Sequence, residues 1–167
     1  MTERYRSEPF DPQNHSVSTF QCGESSLDSW LREQAAAAAK RRTARTWVWV
    51  DETNRVIGYY ALSAHIVARE QVPSRIGRGG PSQIPAVLLG RLALSKDLQG
   101  RGLGVVLVAD AMERTVAASQ LVGARLVVVD ALGESAAQFY ESLGFQRIPD
   151  SLRLVQKIAD IDAALGQ

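Results

Sequence analysis

Apolar positions along the chain repeat with two periods. Thr46–Val50 is β-branched and aromatic, which predicts a strand. Val56–Ala64 is the second such run, and the polar stretch Asp51–Arg55 between them predicts a turn, so the two form a hairpin. Ala86–Leu94 is almost continuously apolar, the pattern of a central strand covered on both faces. Arg125–Asp130 is a second buried strand, and Leu152–Ile158 alternates like a last one. Helical spacing takes over elsewhere. Leu27, Trp30, Leu31 and Gln34 share one face and lead into five alanines, predicting a helix over about Ser26–Arg42 with Ser25 or Ser26 as its N-cap. Further helices are expected over Gly102–Ser119, Ser135–Leu143 and Ala159–Leu165, with Gly144 just past the end of the third. Arg4–Asp11 suggests an edge strand, and Gln71–Pro85, rich in proline, glycine and arginine, suggests a loop. The order predicts one α/β domain over residues 1–167, with a mixed central sheet flanked by helices.

Composition narrows the class. No apolar run approaches the roughly 18 residues that span a bilayer, and the polar start has no apolar signal core, so a cytoplasmic protein without a membrane partner is expected. One cysteine, Cys22, excludes an internal disulfide, and two separated histidines, His15 and His65, argue against a metal site. The net charge is only +1, but Lys40, Arg41, Arg42 and Arg45 cluster, and Arg69, Arg75, Arg78 and Arg91 follow. Such a face suits a polyanionic ligand; a merely solvated face is the alternative.

The candidate chemistry starts at Gln99-Gly100-Arg101-Gly102-Leu103-Gly104, between a buried strand and a helix. Three glycines in five positions bare the amides of a helix N-terminus, where a phosphate can sit. Val105 follows the last glycine where a Walker loop has lysine, and Val105 and Leu107 occupy the places of the dinucleotide loop's third glycine. A glycine turn without a ligand is the alternative. Gln99-x-x-Gly102-x-Gly104 resembles the Q/R-x-x-G-x-G/A signature of the GNAT superfamily of N-acetyltransferases. Leu89–Ser95 and Ala137–Phe145 resemble its central strand and its closing helix and strand. Phe20–Leu31 is similar to the F-x-C-G-x-x-x-L-x-x-W-L opening of the acetyltransferase toxins of bacterial toxin–antitoxin pairs.

The resemblance implies acetyl-CoA as donor and no metal. It implies backbone contacts from Leu92, Ala93 and Leu94 to the acetyl thioester, and pyrophosphate contacts from Gln99, Gly100, Arg101, Gly102, Leu103 and Gly104. Tyr140 would protonate the departing thiolate; a core tyrosine beside Phe139 is the other reading. No side chain stands out as a base, although Glu70, Glu134 and Glu141 remain possible bases, with surface carboxylates as the other reading. That favours an acceptor α-amine, with pKa about 8, over a lysine amine near 10.4. In the toxin subgroup the acceptor is the α-amine of aminoacyl-tRNA, whose acetylation blocks translation. Lys40, Arg41, Arg42, Arg45, Arg75 and Arg78 would then hold tRNA phosphates. Arg91, in the central strand, either faces the cleft near the tRNA 3′ end or pairs with an acid. Trp30, Trp47 and Trp49 are read as core packing, with base stacking as the alternative, and Cys22 as a small buried hydrophobe. The resemblance implies a ribbon-helix-helix antitoxin as partner, and the C-terminal strand and helix could support a homodimer. The rival functions are acetylation of a small amine or protein lysine, and a non-catalytic acyl-CoA-binding module.

Overall fold

The computed structural model describes residues 5–166. Seven strands form a sheet in the order β1-β2-β3-β4-β5-β7-β6, with β1 Glu8–Pro9, β2 Arg45–Val50, β3 Val56–Ala68, β4 Gln83–Leu94, β5 Leu126–Asp130, β6 Gln146–Arg147 and β7 Arg153–Lys157. The helices are α1 Ser25–Glu33, α2 Ala35–Arg41, the single turn α3 Ser74–Gly77, α4 Leu103–Leu121, α5 Glu134–Ser142 and α6 Ile158–Leu165. The expected mixed α/β sheet is present: β2 and β3 pair antiparallel, β4 and β5 parallel, and β5 and β7 antiparallel. The chain divides into two compact units. One holds the described residues up to Ser63 with Arg91–Ala111; the other holds Ala64–Gly90 and the residues from Met112 on.

In the first unit, Asp51 closes the β2–β3 hairpin. Its carboxylate accepts from the Thr53 and Arg55 amides at 2.8 and 3.0 Å, while Asn54 takes a positive φ of 63°. These bonds hold the Asp51 carboxyl down to about 2, the Thr53 hydroxyl contributing most. The core gathers Phe20, Leu31, Ala35, Val48, Tyr59 and Ala93. Asp110 of α4 accepts from the Tyr60 and Ser7 hydroxyls, the first at 2.5 Å. In the second unit, Val67, Ile76, Ile84, Leu126, Val128 and Val155 form a separate apolar cluster.

Several boundaries differ from expectation. The helix over Ser26–Arg42 is two helices, broken at Gln34 (φ −117°, ψ −30°) without proline or glycine. Packing sets this bend, since propensity alone favours continuation. Glu24, not a serine, occupies the N-cap of α1, and no side chain caps it. Strand β3 runs four residues past Ala64 to Ala68. Strand β4 begins at Gln83, inside the expected loop, because Pro85 needs no amide to join a strand and its carbonyl accepts from Arg125. Of the expected first strand only Glu8–Pro9 pairs, and Arg4 lies outside the described residues. The two-residue strand β6 has no sequence signature of its own.

Candidate active site

Strand β4 pairs with β5 over Ala86–Leu89 and runs on to Leu94, carrying Arg91, Leu92 and Ala93. Gly58 of β3 makes room for its end: a Cβ there would lie 3.1 Å from the Leu94 side chain. The Ser95 amide then donates to the Ile57 carbonyl at 2.9 Å, and a short turn over Lys96–Leu98 delivers the chain to Gln99.

The glycine loop has the geometry its composition asks for. Gly100 and Gly102 take φ of +78° and +75°, the left-handed region that strains other residues. A Cβ on either would meet nothing within 4 Å, so the space above the loop is open to a ligand. Helix α4 starts at Leu103, and its first-turn amides have no partner within the helix. Positive-φ glycines followed by free helix amides make a concave anion cradle carrying about half a positive charge. This fits a pyrophosphate.

The Gln99 side chain does something other than face that cradle. Its Nε2 donates to the Cys22 carbonyl at 2.7 Å and to the Leu94 carbonyl at 2.9 Å. The Lys96 amide donates to the Gln21 carbonyl at 2.9 Å. The N-terminal segment thereby becomes the floor of the loop. Buried Asp28 completes it by accepting from the Cys22 amide at 3.0 Å. Burial, with Asp28 nearby, pushes the Cys22 thiol up to about 11, so it is an inert packing group as expected. Sequence reasoning missed Asp28; a lone acid on a helix face carries no signal of burial.

Trp30 stacks parallel on Tyr59, with centroids 6.1 Å apart, and the Arg91 guanidinium lies 4.4 Å above the Trp30 centroid. Arg91 therefore rests on an aromatic ring, a contact that neither the cleft nor the acid-pairing alternative names. Trp49 is buried and Trp47 stacks on Tyr60, in keeping with core packing. Lys40, Arg41, Arg42 and Arg45 are all exposed around the end of α2.

Tyr140, Arg75 and Arg78 belong to the second unit. Helix α5 ends in a glycine cap: the Phe145 amide reaches the Tyr140 carbonyl and the Gly144 amide the Glu141 carbonyl, with Gly144 at φ +100°. The turn packs Phe145 edge-on against Tyr140 at 5.6 Å, with Phe139 on it at 5.4 Å. Burial pushes the Tyr140 phenol well above its ordinary value, so it holds its proton through the neutral range. The carboxylates are committed elsewhere. Arg147 grips Glu134 and Glu141 at 2.8 Å each, and its hydrogen bond holds the Glu134 carboxyl below the usual range. Arg153 forks onto Asp130 at 2.7 and 2.8 Å, which lowers the Asp130 carboxyl, and also reaches His65 Nε2 at 3.3 Å. This cluster is a second feature the sequence did not reveal. Arg75 bonds Gln146 at 2.7 Å, while Glu70 and Arg78 are exposed. Among the described residues no group of histidine, cysteine and carboxylate is arranged to hold a metal, and no helix is long and apolar enough to cross a membrane.

Residues 42–147 match the acetyltransferase (GNAT) domain model, a stretch that runs through both units. The chain is 39% identical over 151 residues to the tRNA-acetylating toxin of Mycobacterium tuberculosis (strain ATCC 25618 / H37Rv), covering 90% of each protein. The structure of AtaT complexed with acetyl-methionyl-tRNAfMet is 31% identical, with a TM-score of 0.87 and coverage of 95% of this chain and 98% of that one. A tyrosine-to-phenylalanine mutant of AtaT, bound to the C-terminus of the antitoxin AtaR and acetyl-CoA, is 29% identical with a TM-score of 0.83, covering 98% and 99%. The anion cradle at the start of α4, the strand leading into it and these likenesses agree, and the chain belongs to the GNAT acetyltransferase family.

Proposed function

We propose that this chain is an acetyl-CoA-dependent N-acetyltransferase that acetylates the α-amine of aminoacyl-tRNA and so blocks translation, as the toxin of a toxin–antitoxin pair. The observation that carries the donor is the pair of positive-φ glycines, with open space above them, at the N-terminus of α4. Gly100, Arg101, Gly102, Leu103 and Gly104 hold the pyrophosphate through their amides, and Gln99 holds the loop in shape from behind. Acetyl-CoA supplies the activated acyl group as a thioester.

The amides of Leu92, Ala93 and Leu94 are assigned to the thioester carbonyl, where they would stabilise the developing oxyanion. Attack by a neutral amine forms the C–N bond as the C–S bond breaks. Tyr140, protonated and of thiol-like acidity or weaker, donates its proton to the departing sulfur. The amine's own proton is lost to solvent, since Glu134 and Glu141 are engaged with Arg147. An α-amine is partly neutral at pH 7 and tolerates the lack of a base; a lysine amine does not. This supports the aminoacyl ester over a protein lysine.

Lys40, Arg41, Arg42, Arg45, Arg75 and Arg78 are assigned to tRNA phosphates, and Arg91 to the region of the tRNA 3′ end. The partners we assign are a ribbon-helix-helix antitoxin and a second copy of the chain in a homodimer, acting in the cytoplasm as one acetyltransferase domain. Mass spectrometry of charged tRNA after incubation with acetyl-CoA tests the acceptor directly. A mass gain of one acetyl group on the aminoacyl end is expected; acetylation of free amines with no change in charged tRNA would refute the toxin reading.

A further inference from the structure

Beside Trp30, at the junction of α1 and α2, lies a cavity of about 220 Å³. Its polar lining is Gln34, Arg41, Thr43, Ser63 and Arg91, and the remaining lining residues besides Trp30 are alanines. No carboxylate is among the described residues that line it, and neither arginine is in an ion pair among them. Two fixed positive charges therefore face one small concavity with hydroxyl and amide donors around it.

The stack of Tyr59, Trp30 and Arg91 explains why this is more than a basic surface. The Arg91 guanidinium carbon lies 4.4 Å from the Trp30 centroid, so the ring carries the cation while its N–H donors stay available to a ligand. Its side chain is already ordered, so little rotamer freedom is lost when it meets a ligand. The Arg91 guanidinium already occupies a face of the Trp30 ring, and Tyr59 stacks on the same ring system. The volume also falls below the roughly 300–1,000 Å³ of pockets that enclose a whole drug-sized molecule. A compact anion with fork-accepting oxygens fits; a nucleoside does not.

We infer that this cavity is a subsite for one backbone phosphate of the nucleic-acid acceptor, gripped by Arg91 and Arg41. The inference rests on the tRNA reading above. A phosphate of CoA is the other source of the same chemistry, and position argues against it. The glycine loop is anchored at Cys22, just before α1, a helix about 13.5 Å long, whereas the cavity is lined by Trp30 in its second half, Gln34 just past its end and Arg41 at the end of α2. Lys40, Arg42 and Arg45 are exposed near that far end and would continue the path of a nucleic-acid backbone.

The test is the KM for charged tRNA, followed from low to moderate salt, in wild type, Arg91→Gln, Arg41→Gln and Arg91→Lys. Each glutamine variant should raise that KM about tenfold at low salt, the loss of one charge-assisted contact. Each should also flatten the plot of log KM against log salt by about 0.7, the single-strand value per phosphate contact. Arg91→Lys should recover the salt slope but not the KM, because an ammonium has no planar fork. Glutamine variants that melt like wild type yet keep its tRNA KM and slope overturn the subsite while leaving the acceptor reading intact. A rise in the KM for acetyl-CoA in place of tRNA overturns it in favour of a CoA phosphate. Should wild type acetylate no charged tRNA, the acceptor reading falls, and equilibrium binding of uncharged tRNA decides the subsite: a flatter salt slope in the variants supports it, an unchanged slope overturns it.

Discussion

Gln99 spends the two hydrogens of its side-chain amide on carbonyls inside its own unit, Cys22 and Leu94. Removing it in Gln99→Ala strands both acceptors. We expect a loss of about 1–3 kcal/mol in urea denaturation, together with a higher KM for acetyl-CoA as the loop loosens. Tyr140 makes a different kind of residue-scale prediction. Tyr140→Phe keeps the edge-on packing with Phe139 and Phe145 and removes only the hydroxyl. It should lower kcat by about 10²–10⁴-fold, the range for a general acid, with the KM for acetyl-CoA and the urea midpoint nearly unchanged; an equal loss in stability would assign the tyrosine to packing alone. The pH profile follows from the sign of its shift. Burial raises the Tyr140 phenol, so the acid form persists above the ordinary tyrosine value. The profile of kcat/KM should therefore rise with the free amine to about pH 8 and stay level beyond it, without the falling limb near pH 10 that an unshifted tyrosine acid would give. The glycine loop and Tyr140 could be singled out from the sequence because motif and spacing mark them, and the loop glycines do take the left-handed backbone that such a turn requires. The Gln99 bonds could not, since their partners are backbone carbonyls 77 and 5 residues away.

At the scale of elements, what the apolar pattern specified was which segments become strand or helix. What it left open was where each one bends or stops. Ala35–Ala39 reads as a seamless continuation of α1, yet the chain bends at Gln34, where Ala35 seats in the core with Phe20 and Leu31. Burial of one small side chain decided a boundary that propensity left free. The end of α5 shows the reverse case. Gly144 was readable as a cap because a left-handed residue must follow the helix there, and it stands at φ +100°. Gly144→Ala should destabilise the protein by about 1–2 kcal/mol, from the left-handed strain alone. The new Cβ would also lie 3.3 Å from the Gln156 side-chain nitrogen. Urea denaturation measures the sum; an unchanged midpoint would mean that the cap does not hold α5.

For the molecule as a whole, a net charge of +1 means that polyanion binding rests on where cations stand, not on their total. The sequence showed the run from Lys40 to Arg45 but had no means of placing Arg91 upon Trp30, since that contact joins α1 to β4. Ligand binding offers a whole-molecule test of the cradle. Acetyl-CoA at 100 times its Kd should stabilise the fold by about 2.7 kcal/mol, seen as a higher melting temperature. Gly102→Ala puts a methyl into the open space of the loop and strains its backbone. It should lose most of that ligand-induced rise; a full rise in the variant would move the donor site elsewhere.

The anchoring of the glycine loop on the N-terminal segment also bears on recombination between relatives. Gln99 and Lys96 reach back to Cys22 and Gln21, and Asp28 fixes the same stretch from α1. A chimaera that swaps α1 and α2 to change acceptor preference, with its junction between Gln21 and Asp28, would inherit a loop from one parent and its floor from another. Donor affinity would then fall in an exchange aimed only at the acceptor. Junctions placed after Asp28 keep the floor with its own loop and let α2 and its cations be exchanged alone.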